Sequence, residues 1–303
     1  MLPAQAVLFQ GLSRTILAPI LRIAVQKSDA GVRESVLRVV AVHPELLGTY
    51  GDFGNAIVLV QRALWRDIPA EIVEAKSGEP LVRGGDIYCL GGGEDGPQAR
   101  SALELRSDGA LASAISAGAA LFAVCAGFQL IGESFTGPDG KRQQGLGILD
   151  MRTRRGPGPR AVGELASFAS EDLGVDSMSR ILTGFENHAG HSDLGAGVAP
   201  LGKVLRGVGN GPQASKEGAI SGRVVGTYMH GPALARNPAL ADLLLSWIVG
   251  PLDPIEGEIE EETGSLRVSV LFGVGNGRRA RRRRSLFSKR PFGLRRRSGV
   301  AGE

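Results

Sequence analysis

The 303-residue chain lacks the features that define several broad classes of protein. It has only two cysteines, Cys89 and Cys125, which excludes a disulfide-stapled scaffold and favours a reducing, cytoplasmic setting. It has no run of about 18 or more apolar residues, so no transmembrane helix is predicted. An apolar stretch near the start is interrupted by Arg14 and Arg22, which does not fit a secretory signal.

Aromatic residues are also scarce, at 5% of the chain, whereas glycine is abundant, at 45 residues. Hydrophobic residues make up 43% and charged residues 22%, which are proportions typical of a globular protein. They exclude collagen-like, coiled-coil and wholly disordered chains. Abundant glycine with few aromatics favours an α/β fold with tight, glycine-rich turns.

Basic residues are in the minority over most of the chain. The first 277 residues contain 24 lysines and arginines against 30 acidic residues, and residues 278–297 alone hold eleven basic ones. The net charge of +4 therefore describes a tail. We interpret this tail as a solvated extension, with contact to an anionic membrane surface or to RNA as the alternatives. No nucleic-acid partner is expected for the rest of the chain.

Hydrophobic patterning divides the chain into three parts: an N-terminal extension (1–35), a domain (36–250), and an acidic, then arginine-rich tail (251–303). Within the domain, short apolar runs alternate with helical segments, which predicts βαβ units in a parallel sheet. The predicted strands are 36–42, 87–90 and 121–124, followed by shorter ones at 148–152, 181–185, 204–207 and 224–228. The predicted helices are 56–65, 97–105, 110–117, a run at 128–131, and 238–249.

Cys125 directly follows the predicted strand at 121–124 and precedes two small residues, Ala126 and Gly127. A strand–turn–helix arrangement exposes a nucleophile at the carboxyl end of a sheet and leaves backbone N–H groups free to hold an oxyanion. A helix N-terminus also favours the reactive thiolate. The alternative is a buried cysteine that acts as a small hydrophobe.

A nucleophilic cysteine needs a base, and the chain has four histidines, His43, His188, His191 and His230. His230 follows a predicted strand and precedes Gly231, so it lies at a strand end, where the catalytic loops of an open α/β sheet gather. It is the favoured base. His188 lies on a predicted loop and is the alternative.

Six motifs carry a resemblance to a known family. Residues 91–93 (GGG), 123–129 (AVCAGFQ) and 226–232 (GTYMHGP) resemble a class I glutamine amidotransferase domain of the CobB/CobQ-like branch. Residues 48–55 (GTYGDFGN), with 145–150 (GLGILD) and 184–190 (GFENHAG), are similar to the GatD type, the glutaminase subunit of lipid II isoglutaminyl synthase. The resemblance covers about residues 36–250. It implies a flavodoxin-like, three-layer fold with a parallel central sheet flanked by helices.

The resemblance implies a reaction for the candidate pair. Cys125 would attack the side-chain amide of glutamine and form a γ-glutamyl thioester with release of ammonia. His230 would accept the thiol proton and protonate the leaving ammonia.

The resemblance also implies residues that surround this pair. The backbone N–H groups of Ala126 and Gly92 would form the oxyanion hole. Gln129 and Arg160 would bind glutamine, because a guanidinium suits its α-carboxylate. An ordinary surface arginine is the alternative for Arg160.

The histidine motif departs from the wider class in one respect. Where that class has a glutamate two residues after the histidine, this chain has Pro232, so the motif lacks the carboxylate that orients the base. In this branch the absence is normal, and the resemblance implies that a partner supplies an acidic residue. The isolated chain is then expected to be a poor glutaminase.

The chain has no second catalytic domain and no Walker motif, so its ammonia should serve a separate synthase. The resemblance implies a heterodimer with a Mur-ligase-like, MurT-type subunit. That subunit would use ATP and Mg²⁺ to amidate the D-glutamate α-carboxyl of lipid II, giving D-isoglutamine for peptidoglycan at the inner face of the membrane. No metal or cofactor is expected in this chain. The alternatives are an amidotransferase of cobyrinate or cobyrate synthesis, whose members carry a long amino-terminal ATP-binding domain, and a catalytically silent binding module.

Overall fold

The structure is a computed structural model that describes residues 35–170, 173 and 180–255. Residues 1–34 of the predicted extension and residues 256–303 of the predicted tail lie outside the described residues.

The described residues form the following strands and helices. The strands are β1 (Leu37–Val42), β2 (Ala70–Ala75), β3 (Ile87–Leu90), β4 (Ala120–Val124), β5 (Ser134–Thr136), β6 (Arg142–Gln144), β7 (Met151–Arg155), β8 (Ala161–Ala169), β9 (Ile181–His188), β10 (Gly190–Leu194), β11 (Gly202–Arg206), β12 (Lys216–Glu217), β13 (Ala219–Ser221) and β14 (Val224–Thr227). The helices are α1 (Gly54–Leu64), α2 (Asp95–Asp108), α3 (Ala110–Ser116), α4 (Ala126–Leu130), α5 (Ala233–Arg236) and α6 (Pro238–Val249).

A six-stranded sheet in the order β13-β14-β4-β3-β1-β2 forms the centre of the domain. All of its strand pairs are parallel except the edge pair of β13 with β14. Strands β3 and β4 are buried at every residue, as expected where helices cover both faces of a parallel sheet. The apolar runs of the sequence therefore identified four strands of this sheet, β1, β3, β4 and β14, whereas the edge strands β2 and β13 were not predicted.

The helices that pack on this sheet fall into two groups. Helix α1 lies against β1 and β2 and contacts α5 and α6, and α6 also reaches β4. Helix α4 lies against β4 and β14 and contacts α2, which in turn contacts α3. The arrangement confirms the predicted α/β class, with helices flanking a parallel central sheet. None of the described helices is long and apolar enough to cross a membrane.

Two small sheets, β10-β7-β5-β6 and β12-β11-β8-β9, extend the domain beyond the central sheet. Strand β9 reaches back to the carboxyl end of β14 through an antiparallel bridge between Phe185 and His230. His230 N–H donates to the Phe185 carbonyl at 2.8 Å, and Phe185 N–H donates to the His230 carbonyl at 3.2 Å. This bridge fixes the backbone of the candidate base.

The smaller strands differ most from the sequence-based expectation. The strand predicted at 148–152 is β7, which begins at Met151, because the N–H groups of Ile148 and Leu149 both donate to the Ile131 carbonyl and turn the chain there. The nine-residue strand β8 was not predicted. Its burial varies along its length, and it is defined by its pairing with β9 and β11.

Candidate active site

Cys125 occupies a sharp turn between β4 and α4. Its backbone has φ 50° and ψ −103°, a conformation that residues other than glycine rarely adopt and that costs about 1–3 kcal/mol. The turn is held on both sides, because Cys125 N–H donates to the Thr227 carbonyl at 2.8 Å and Gly127 N–H donates to the Gly91 carbonyl at 3.1 Å. The strand–turn–helix predicted around Cys125 is present.

Small residues around this turn are a steric requirement. A Cβ on Gly127 would lie 2.8 Å from the Cβ of Leu90, and a Cβ on Gly226 of β14 would overlap the ring of Phe128. Phe128 in turn packs edge-on against Tyr228, with ring centroids 5.3 Å apart. The turn, β3 and β14 can therefore approach closely only with glycine at both positions.

His230 lies at the end of β14 with its imidazole between Cys125 and Asp52. Its Nδ1 is 2.8 Å from Asp52 Oδ2, and Cys125 lies close enough to influence its pKa. Burial on its own would lower the pKa of His230, but the hydrogen bond to Asp52 and the nearby charges of Asp52 and Cys125 outweigh it and raise the pKa to about 10. His230 is therefore a strong proton acceptor beside the thiol.

Asp52 is the main residue of the site that the sequence analysis did not assign. Its side chain is fully buried, and its Oδ2 accepts the N–H of Gly92 at 2.8 Å in addition to the contact with His230. A carboxylate from this chain therefore contacts the base, where the sequence analysis expected one from a partner. The available signal was the motif at 48–55, in which Asp52 is the acidic residue and which follows the carboxyl end of β1.

The backbone donors near Cys125 require one correction. The predicted oxyanion-hole donor Gly92 already donates its N–H to Asp52, which removes it from that role. The N–H groups of Ala126 and Gly93 have no acceptor among the described residues, and both residues line the cleft that contains Cys125. The N–H groups of Ala126 and Gly93 are therefore available to stabilise an oxyanion, whereas the N–H of Gly92 is not.

The cleft encloses about 540 Å³, including space open to solvent, and brings the two predicted substrate-binding residues next to Cys125. Gln129 accepts a hydrogen bond from Gln98 Nε2 at 3.0 Å. Arg160 donates to the side-chain and backbone oxygens of Asn187 at 3.0 and 2.8 Å. The same Asn187 carbonyl lies 4.0 Å from Cys125 Sγ.

His188, the alternative base, is engaged elsewhere. Its Nδ1 lies 3.0 Å from the Gly190 carbonyl, its Nε2 lies 3.4 Å from Glu186 Oε2, and its ring stacks on Tyr228 at 3.7 Å. These contacts favour a supporting role under the cleft.

Cys89 fits the description of a cysteine that acts as a small hydrophobe. It is buried in β3, and burial raises the pKa of its thiol to about 12. Among the described residues, no group of three or more histidine, cysteine, aspartate or glutamate side chains could hold a metal ion.

The comparison with protein families agrees with this geometry. The family model of the CobB/CobQ-like glutamine amidotransferase domain matches residues 38–238. The chain belongs to this family. The match contains all but the first residue of β1, the Cys125 turn, β14 and His230.

Curated members similar to this CobB/CobQ-like chain carry two kinds of name. The lipid II isoglutaminyl synthase (glutamine-hydrolyzing) subunit GatD of Staphylococcus aureus is 35% identical over 74% of this chain and 90% of that protein. The Streptococcus pneumoniae protein of the same name is 32% identical over 69% of this chain and 79% of that protein. A probable cobyric acid synthase of Methanosphaera stadtmanae is 36% identical over 43% of this chain but only 27% of its own length.

Proposed function

We propose that this chain is the glutaminase subunit of a lipid II isoglutaminyl synthase, in which it hydrolyses L-glutamine and delivers ammonia to a partner synthase. The observation that carries the proposal is the strained turn that holds Cys125 against His230 in an open cleft. The similarity to the GatD proteins over most of both chains supports this acceptor. The cobyric acid synthase matches a much smaller part of the chain and of its own length.

The reaction follows from the positions of Cys125 and His230. The thiolate of Cys125 attacks the amide carbon of glutamine, and the N–H groups of Ala126 and Gly93 stabilise the oxyanion. Collapse of the tetrahedral intermediate breaks the C–N bond, and His230 gives its proton to the leaving ammonia. A water that then transfers a proton to His230 attacks the thioester, releases glutamate and restores the thiol.

The cleft matches the charges of the α-amino-acid end of glutamine. Arg160 is placed to bind the α-carboxylate, and Asn187 holds its guanidinium in a two-point contact. Glu94 and Asp95 line the same cleft and can face the α-ammonium group. Gln129 lies beside Cys125, where it can orient the side-chain amide.

The rest of the assembly follows from this assignment. The partner is a Mur-ligase-like, MurT-type subunit in a heterodimer, and it binds the ATP and Mg²⁺ that activate the D-glutamate α-carboxyl of lipid II. The chain itself needs no cofactor for glutamine hydrolysis. The amidotransferase domain comprises residues 36–250, and the complex acts in the cytoplasm at the inner face of the membrane.

The test is transfer of labelled nitrogen in the complex. The chain is co-expressed with a MurT-type synthase subunit and supplied with amide-¹⁵N glutamine, ATP, Mg²⁺ and lipid II. Mass spectrometry should find ¹⁵N in D-isoglutamine, Cys125→Ala should abolish the incorporation, and the matched control Cys89→Ala should retain it. Incorporation that survives Cys125→Ala would refute the proposal, as would transfer to corrin carboxylates but not to lipid II.

A further inference from the structure

We propose that Asp52 is the positioning carboxylate for His230, so that this chain carries the complete array Cys125–His230–Asp52 without an acidic residue from a partner. The inference rests on the proposed glutaminase function and assigns a role to the 48–55 loop, defined as the segment Gly48–Asn55, which includes the first two residues of α1. It also replaces the expectation that the missing carboxylate of the histidine motif comes from outside the chain.

Asp52 is paired directly with the base. Asp52 Oδ2 lies 2.8 Å from His230 Nδ1, and both side chains are almost completely buried, at 0% and 2% exposure. A buried carboxylate is costly unless it is paired, and among the described residues His230 is its ionic partner. The pair therefore stabilises the imidazolium that forms when His230 takes a proton from Cys125.

The contact with Asp52 also sets the orientation of the imidazole. With Nδ1 donating to Asp52, the other nitrogen, Nε2, is left to face Cys125. Nε2 is buried and has no conventional hydrogen-bond partner within the described part of the chain. The contact with Asp52 thus selects the form of the ring whose free nitrogen can exchange a proton with the thiol.

The 48–55 loop is built to hold this contact. Asn55 Nδ2 donates to the Asp52 carbonyl at 3.0 Å, and Asn55 Oδ1 accepts the N–H of Leu234, just beyond His230, at 2.9 Å. Tyr50 packs its ring on His230, with centroids 4.5 Å apart. One loop therefore contacts the base from the side, braces the chain that follows it, and fixes the carboxylate.

Asp52 also connects the base to the backbone near the thiol. Its Oδ2 accepts the N–H of Gly92, which directly precedes the candidate donor Gly93. Because Asp52 does not line the cleft and contacts no position where substrate would lie, it acts through His230 and Gly92. It is a positioning residue.

The experiment compares Asp52→Asn, Asp52→Glu and the exposed control Glu71→Gln in the full chain, alone and with its partner synthase. We expect Asp52→Asn to lower kcat for glutamine hydrolysis by about 10²–10⁴-fold with little change in KM, because the charge that stabilises the imidazolium is lost. Loss of that charge should also move the alkaline limb of the kcat/KM profile to lower pH. Asp52→Glu should restore that limb in part, and Glu71→Gln should match the wild type.

A second readout does not require glutamine. The rate at which iodoacetamide alkylates Cys125 is followed against pH in a Cys89→Ala background, and Asp52→Asn should shift this profile to higher pH, because a less stable imidazolium supports the thiolate less. If wild type and Asp52→Asn give the same profile, the inference is wrong even if the chain hydrolyses glutamine. If no variant hydrolyses glutamine but the alkylation profiles differ, the proposed function fails and the role of Asp52 stands.

A third measurement covers the case in which Asp52→Asn does not fold. In the wild-type chain labelled with ¹⁵N-histidine, nuclear magnetic resonance should show a proton on His230 Nδ1 in a hydrogen bond. A neutral ring protonated only at Nε2 at neutral pH would overturn the inference.

Discussion

At the scale of residues, the cleft separates the groups that perform the reaction from the group that binds the amino-acid end of the substrate. Arg160 belongs to the second kind, since its guanidinium contacts Asn187 and not Cys125 or His230. We predict that Arg160→Ala raises KM for glutamine roughly tenfold to a hundredfold while changing kcat much less. Steady-state ammonia release measures both constants. Arg152→Ala, an exposed arginine paired with Glu133 outside the cleft, is the control and should leave KM unchanged.

A second prediction at this scale concerns Glu217, which is buried and contacts Thr227 and Tyr228 at the end of β14. Burial raises the pKa of Glu217 to about 7, and the charge of Glu186 adds to the effect, against hydrogen bonds from Thr227 and Tyr228 that lower it. In the unfolded chain Glu217 ionises near its ordinary pKa of 4.5, whereas in the folded chain it ionises only near 7. As pH rises, ionisation therefore stabilises the unfolded state before it stabilises the folded state. The free energy of unfolding should therefore fall by roughly 3 kcal/mol between about pH 4.5 and 7 on account of this residue.

Denaturant unfolding across that range checks this prediction. Glu217→Gln should lose this part of the pH dependence, and the exposed carboxyl variant Glu71→Gln should keep it. Curves for the wild type and Glu217→Gln that remain parallel from pH 4.5 to 7 would show that Glu217 is ionised in the folded state.

The residues of the site differ in how well the sequence predicts them. Cys125 and His230 were predicted because each follows an apolar strand, and the ends of parallel strands meet at one edge of a sheet. Asp52 lies far from its partner His230 in sequence, at a separation of 178 residues along the chain. No local pattern connects the two. Gly92 was assigned from the resemblance to the family, but the direction of its N–H depends on Asp52 and could not be read from the sequence motif.

At the scale of elements, the close contact between α4 and β14 limits which residues β14 tolerates at position 226. Gly226 of β14 faces the ring of Phe128, and a methyl group there would overlap the ring. We predict that Gly226→Ala lowers the free energy of unfolding by about 1–3 kcal/mol or more through overpacking. Gly96, in the first turn of α2, has open space where a Cβ would lie, with nothing within 4 Å, so Gly96→Ala should be neutral or slightly stabilising. Equal stability of the two variants in urea would contradict this account of the packing.

The strands that are buried on both faces of the sheet were the ones that the sequence predicted best. The strands β1, β3 and β4 are apolar along most of their length and were identified within a residue or two. The small sheets contain short strands with exposed and polar positions, such as β6 and β12, and their positions are set by their partners. Sequence periodicity carries little information about such strands because tertiary pairing decides them.

At the scale of the whole molecule, the uneven charge distribution separates the amidotransferase domain from the tail. The eleven basic residues at 278–297 lie outside the described residues and outside the family match at 38–238. We predict that removal of residues 275–303 leaves kcat and KM for glutamine unchanged, since the site is built from residues 50–230. Co-sedimentation with anionic vesicles at low and high salt tests the tail separately. Salt-sensitive binding that persists in the truncated chain would show that the tail is not its source.

The central claim is that Cys125 is the nucleophile of a glutaminase, and covalent labelling with the glutamine analogue 6-diazo-5-oxo-L-norleucine tests it most directly. Mass spectrometry of the full chain after exposure to the analogue should show a single adduct, located on the peptide that contains Cys125. The adduct should persist in Cys89→Ala, disappear in Cys125→Ala, and be reduced by excess L-glutamine. An adduct on Cys89, or an unlabelled Cys125 in a folded chain bound to its partner synthase, would contradict the account.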